Sequence, residues 1–270
     1  NHGFFILKDG NSVTDQSGNS NNWTVGAGTL TKTEDSPSNL FCTWNPNQPA
    51  GGGVYESTYS YGNTKASGDN ANWQRSFGTL AAKTGKWYYE IKAHDVNAYN
   101  TRIGWDSIDN INMNGAETYY SGLTIDGEGK MRGGEQGTSA YDPNAVQLTD
   151  VSTSSNLSFT SDDWLGMAID LDNQTFKMYK NGTLVVNDQS YSSYSGCSIL
   201  KSKGWMIGPS VNWFSTSGDA NRTSANFGNG AMDSTQFTGT TYNDSQGSGV
   251  FKYDPPSGYL AWCTRNLNNN

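Results

Sequence analysis

The chain is short of histidine, cysteine and basic residues, and each shortage narrows what it can do. It has two histidines, His2 and His94, so a Ser-His-Asp triad would have to be built on one of them. Its three cysteines, Cys42, Cys197 and Cys263, are scattered and form no C-x-x-C pair. A tetrahedral zinc site therefore lacks ligands at workable spacing. Lys and Arg total 17 against 25 Asp and Glu, for a net charge of −8. No basic run occurs, which argues against a nucleic-acid partner, whose phosphates need clustered cations. No stretch approaches the roughly 20 apolar residues of a membrane-crossing helix, and no membrane partner is expected. Sustained helical periodicity and coiled-coil heptads are also absent.

What is present is aromatic and uncharged polar. Hydrophobic residues make up only 34% of the chain, yet aromatics reach 13% and charged residues only 16%. This balance fits a thin core of Trp, Tyr and Phe under loops rich in Asn, Ser, Thr and Gly, which solvate turns without charge. At 270 residues the chain suits one large all-β domain.

Short alternating runs separated by turn residues dominate, the signature of a sandwich or barrel. Lys86 to Val96 places Trp87, Tyr89, Ile91 and Ala93 on one face and Tyr88, Glu90 and Lys92 on the other. His94 falls on the polar side and is expected to be exposed. Thr101 to Trp105 reads as an antiparallel return strand. Trp164 to Leu171 and Thr175 to Tyr179 flank a turn at Asp172-Asn173-Gln174, and Asn181-Gly182 marks a second hairpin. Pro255-Pro256-Ser257-Gly258 makes a rigid turn before a final strand, Tyr259 to Thr264. Cys42 in Phe41-Cys42-Thr43-Trp44 and Cys263 in Trp262-Cys263-Thr264-Arg265 have similar surroundings. They suggest two strands from opposite ends of the chain lying side by side. A Cys42–Cys263 disulfide and a pair of buried free thiols are both open readings.

Several of these pieces resemble a known family. Gly85-Lys86-Trp87-Tyr88-Tyr89-Glu90-Ile91, then Ile103-Gly104-Trp105, then Leu165-Gly166-Met167-Ala168-Ile169-Asp170, then Tyr179-Lys180-Asn181-Gly182 and Asn226-Phe227-Gly228 look like a SPRY domain spanning about residues 80 to 232. The flanks, 1–79 and 233–270, are narrower in their likeness. Asp35-Ser36-Pro37-x-Asn39-x-Phe41-Cys42-Thr43 and Pro256-Ser257-Gly258-Tyr259-Leu260-Ala261-x-Cys263-Thr264 resemble SPRY-containing virion proteins of tailed bacteriophages, many of them marine. Trp44 and Trp262 stand where that group carries Leu, and no Pro follows Asn266-Leu267. The resemblance implies a single SPRY-like, concanavalin-like bent antiparallel β-sandwich, with the N- and C-terminal segments paired onto it. It also implies a place on the virion and a binding role. The absence of Met at Asn1 is read as the mark of a processed product or of a piece of a longer protein.

The expected function is non-catalytic recognition of a host-surface glycan or protein, in a tail fibre or related appendage. A capsid decoration or head-fibre protein, contacting other virion proteins, is the first alternative; a glycan depolymerase is the second. A homotrimer would suit either virion position. The resemblance implies that the loop at Asn97 to Arg102, with Asn97, Tyr99, Asn100 and Arg102, belongs to the binding surface; Tyr141, Trp213 and Phe214, with Tyr191 and Tyr194, are further aromatics in predicted loops expected to make contacts. Tyr and Trp make good anchors there, bringing large rigid area with a polar tip. Trp87, Trp105 and Trp164 are assigned to the core. Acidic pairs for glycan cleavage could be drawn from Glu90, Asp95, Asp106, Glu117 and Glu135, but their separations in space are not readable. No cofactor is expected. Calcium is the one metal the loops could take, at Asp106 to Asn110 or at Asp170-x-Asp172-Asn173.

Overall fold

The computed structural model describes residues 3–6, 13–27, 34–47, 57–68, 73–96, 100–107, 123–133, 158–192, 206–214 and 221–268. Its strands are β1 (Thr58–Ser60), β2 (Lys65–Gly68), β3 (Trp73–Phe77), β4 (Lys86–Asp95), β5 (Thr101–Ser107), β6 (Leu123–Asp126), β7 (Met131–Gly133) and β8 (Trp164–Asp170). They continue with β9 (Thr175–Lys180), β10 (Thr183–Ser190), β11 (Ile207–Phe214), β12 (Asn221–Asn226), β13 (Ala231–Met232), β14 (Thr235–Gln236) and β15 (Leu260–Ala261). A short helix, α1 (Thr264–Leu267), follows the last strand.

Two sheets form the sandwich. One runs β1-β2-β12-β4-β8-β9-β10, with β15 added to β4; the other runs β3-β11-β5-β6-β7. Neighbours in both paths are antiparallel, and β15 pairs with β4 in parallel. The strand pattern decides the core. Trp87, Tyr89, Ile91 and Ala93 of β4, with Met167 and Ile169 of β8, face Ile103 and Trp105 of β5, Ile125 of β6 and Val211 of β11 in one buried cluster. Tyr89 and Trp105 meet edge to face at 6.2 Å, and the Tyr89 hydroxyl donates to the Gly104 carbonyl at 2.7 Å. The tyrosine thus ties the two sheets together while its polar tip stays satisfied.

Local chemistry sets the hairpins. Asn181 and Gly182 both hold positive φ, 51° and 81°, the mirror-image turn that matches strand twist. Between β8 and β9, Asp170 Oδ1 accepts from the backbone of Asp172 and Asn173, and Oδ2 from Asn173 Nδ2. Lys86 Nζ adds an ion pair to Asp170 at 3.1 Å. This carboxylate, one of the calcium candidates, closes a turn instead.

Two expectations are corrected, and one open reading is decided. β5 does not return alongside β4; it pairs with β11 and β6 in the other sheet. The two strands lie in opposite sheets because both bury large residues on the faces turned toward each other. The last strand ends at Ala261, and the chain turns into α1, where the backbone N–H groups of Leu267 and Asn268 reach back to Cys263 and Thr264. Cys42 and Cys263 are buried free thiols. The two chain ends do lie side by side: Phe41 bridges Cys263, and the Cys42 N–H donates to the Trp262 carbonyl at 2.8 Å. That register is one residue away from bonding. Alternation turns Cys42 into the main core and Cys263 into a second cluster on the far side of the sheet. Burial pushes the Cys42 thiol up to about 12, so it packs as a small apolar group.

Candidate functional site

The outer face of the larger sheet is built in two halves. Over one half, the C-terminal segment lays down the second cluster: Phe41, Tyr88, Ala168, Phe251, Tyr259, Ala261 and Cys263. Glu90 anchors this strap from beneath. Its Oε2 accepts from Asn226 Nδ2 at 2.9 Å and the Lys252 N–H at 3.0 Å, and its Oε1 from the Tyr253 N–H at 2.7 Å. Burial pushes the Glu90 carboxyl up to about 7 against the pull of those donors.

Over the other half the face stays open. Lys65 on β2, Ser224 on β12, Lys92 on β4 and Trp164 on β8 are register partners in that order, one residue from each of four adjacent strands. A cleft of about 730 Å³ stands over this row, and Lys92, His94 and Trp164 line it. The β13–β14 hairpin and the Lys252–Tyr253 stretch form its walls. Trp164 meets Phe237 at 5.8 Å and Tyr253 at 6.3 Å between ring centroids. Lys252 Nζ rests over the rings of Trp164 and Tyr253, at 5.0 and 5.7 Å. Gly182 approaches from outside: a Cβ there would sit 2.6 Å from Tyr253 Cδ1, so the hairpin turn sets how close that wall can stand.

Asp233 holds the hairpin down. It occupies the tight loop at a φ of 51°. Its carboxylate accepts from Ser224 Oγ at 2.5 Å and pairs with Lys65 Nζ at 3.2 Å. His94 Nε2 lies 2.8 Å from Ser224 Oγ and 3.6 Å from Asp233. Burial lowers the His94 pKa, and Asp233 opposes that shift, so the imidazole is neutral at pH 7. The three residue types are those of an acyl-transfer triad, but the wiring differs. A triad serine gives its proton to histidine, and the aspartate grips the other ring nitrogen. Here the serine proton goes to Asp233, which approaches the same nitrogen as the serine does. Ser224 is also completely buried. The group tethers the hairpin to the sheet.

No family model and no curated protein matches the chain. Among solved structures, the SPRY domain of human HERC1 matches over 67% of this chain and 96% of its own, with 13% identity and a TM-score of 0.39. Stonustoxin matches over 69% of this chain and 27% of its own, with 12% identity and a TM-score of 0.42. Within the present chain, the quoted motif pieces occupy β4, β5, β8, the β9–β10 turn and the end of β12. The fold is an antiparallel β-sandwich.

The residues expected to make contacts in SPRY-like loops are placed elsewhere or lie outside the described residues. Asn97, Tyr99, Tyr141 and Tyr194 are outside them. Asn100 is buried just before β5, and Arg102 is buried within β5. Trp213 and Phe214 belong to β11, not to a loop. Trp213 is wholly buried in the main core, and its indole lies so close to Gly68 that a Cβ there would fall 1.5 Å from Nε1. Tyr191 is buried as well. Asn, Ser and Gly neighbours suggested loops at these positions, but a strand in a polar sequence buries its alternate residues just the same. Trp164 moves the other way: assigned to the core, it is half-buried in the cleft. His94 is half-buried there too, not exposed. Lys92, Lys252, Tyr253 and Asp233 were not singled out by sequence. The alternation of β4 was the available signal, since it places Lys92 and His94 on one polar face.

Proposed function

We propose that the chain is a non-catalytic recognition domain of a phage virion, holding part of a host-surface glycan or protein in the cleft over the larger sheet. The observation that supports this best is the cleft itself: an open space of about 730 Å³ with aromatic walls and polar, mostly uncharged edges. Recognition sites combine such rigid apolar area with a few placed polar groups. The flanking likeness to phage virion proteins supports the location. A hydrolytic role finds little support: Asp233, the carboxylate that lines the cleft, is bound to Ser224 and Lys65, and the described candidates nearby are engaged too. Glu90 is buried with both oxygens occupied, and Asp95 pairs with Arg222 at 2.5 Å.

Labelled protein added to host cells tests this reading. Adsorption should be saturable and should fall sharply for Trp164→Ala. Equal adsorption by wild type and variant would remove the cleft from recognition.

A capsid-decoration role is favoured by a different region. Phe4, Phe5, Trp23 and Val25 of the N-terminal segment are exposed at 50, 44, 52 and 44%. Phe4 and Trp23 pack together at 4.8 Å. An apolar group of this kind suits docking on another virion protein. Imaging intact particles at subunit resolution separates the two readings: this segment buried on the head shell supports decoration, and the cleft facing outward on a tail appendage supports recognition.

A further inference from the structure

Resting on the recognition reading, we infer that the cleft takes an acidic saccharide, a sugar unit bearing a carboxylate. Charge is the first reason. The protein carries a net charge of −8, yet the charged residues lining the cleft are Lys92, Lys252 and Asp233, with His94 neutral. Asp233 is already engaged by Lys65 and Ser224. Lys92 pairs at 2.9 Å with Asp162, which is exposed and easily displaced. Lys252 has no carboxylate within ion-pair distance among the described residues; its ammonium rests on the faces of Trp164 and Tyr253 instead. An exposed cation held on aromatic faces is positioned for an incoming anion, and a sugar carboxylate supplies one.

The walls and edges supply the second reason. The rings of Trp164, Phe237 and Tyr253 offer apolar area for the C–H face of a sugar ring. Beside them, the exposed residues Thr235, Gln236, Thr238, Thr240 and Thr241 give donors and acceptors without charge. Hydroxyl and amide groups that both donate and accept match sugar hydroxyls. An extended acidic peptide fits less well. Peptides gain affinity by adding a strand to a free sheet edge, and the floor of this cleft is the face of four paired strands.

The test is calorimetric titration of the full chain with oligogalacturonate and with sialyllactose, each beside its methyl ester. Esterification keeps the sugar ring and removes the charge. At least one acid should bind, with its ester at least about tenfold weaker, the scale of one charge-assisted hydrogen bond. Lys252→Gln, at an exposed position, should weaken the acid by a similar factor and the ester by clearly less. Failure of both acids to bind, equal binding of acid and ester, or tighter binding of poly-glutamate would each overturn the inference. If Trp164→Ala abolishes cell adsorption while neither acid competes, recognition through the cleft stands and the acidic sugar falls.

Discussion

Glu90 and Lys92 sit two residues apart on one face of one strand, yet they lead opposite lives. Glu90 is sealed under the C-terminal strap, its oxygens fixed by two backbone N–H groups and one side-chain amide. Lys92 opens onto the cleft. Nothing in β4 distinguishes the two positions. The difference comes from what lies across them: Phe251 and Tyr259 over one half, and over the other a hairpin that Asp233 tethers at its tip while leaving the cleft open. A sheet face becomes a site where its cover stops.

The strongest way to break this contrast is to loosen the cover. Phe251 is wholly buried against Tyr88, with ring centroids 5.2 Å apart. Phe251→Ala should cost about 3–5 kcal/mol in a denaturant titration. Because Lys252 and Tyr253 follow directly in the same stretch of chain, ligand binding should fall with it.

Glu90 tests the covered half by pH. Its pKa is about 7 in the folded protein against an ordinary value of 4.5. Between those values the folded state keeps a proton that the unfolded chain has lost, so this group's stabilisation falls as pH rises from 4.5 to 7. The difference in denaturation midpoint between wild type and Glu90→Gln should change across that window, because the amide cannot titrate. A constant difference would mean that Glu90 is not the titrating group.

On the open half the effects on stability are smaller. Asp233→Ala removes the acceptor for Ser224 and the partner of Lys65, and should cost about 1–2 kcal/mol. It frees the hairpin, so ligand affinity should drop more than stability does. Lys92→Gln should change stability by less than about 0.5 kcal/mol. A large loss of stability there would show that Lys92 belongs to the framework and not to the cleft.

How much was legible in the sequence differs between these halves. The alternation of Lys86 to Val96 identified the inner face of β4 correctly, because Trp87, Tyr89, Ile91 and Ala93 repeat every second residue. The Asn181-Gly182 turn and the adjacency of the Cys42 and Cys263 segments were readable for local reasons. The candidate site was not. Trp213 looked like a loop anchor and is core, while Trp164 looked like core and walls the cleft. Composition around an aromatic says whether its neighbours like water; it does not say which side of a sheet the ring faces, or whether anything covers that side.

By itself, the sequence determined the all-β class, the positions of β4, β5, β8 and β9, two of the turns and the inner face of the central strand. These follow from side-chain alternation and turn chemistry, which act over a few residues. Only the tertiary structure decided that β4 and β5 lie in different sheets, that Cys42 and Cys263 pack on opposite sides of one, and that the strap stops between Glu90 and Lys92. Those outcomes depend on contacts between residues as far apart as Glu90 and Tyr253. No local pattern encodes such contacts, because their energy appears only once the chain has closed the loop between them.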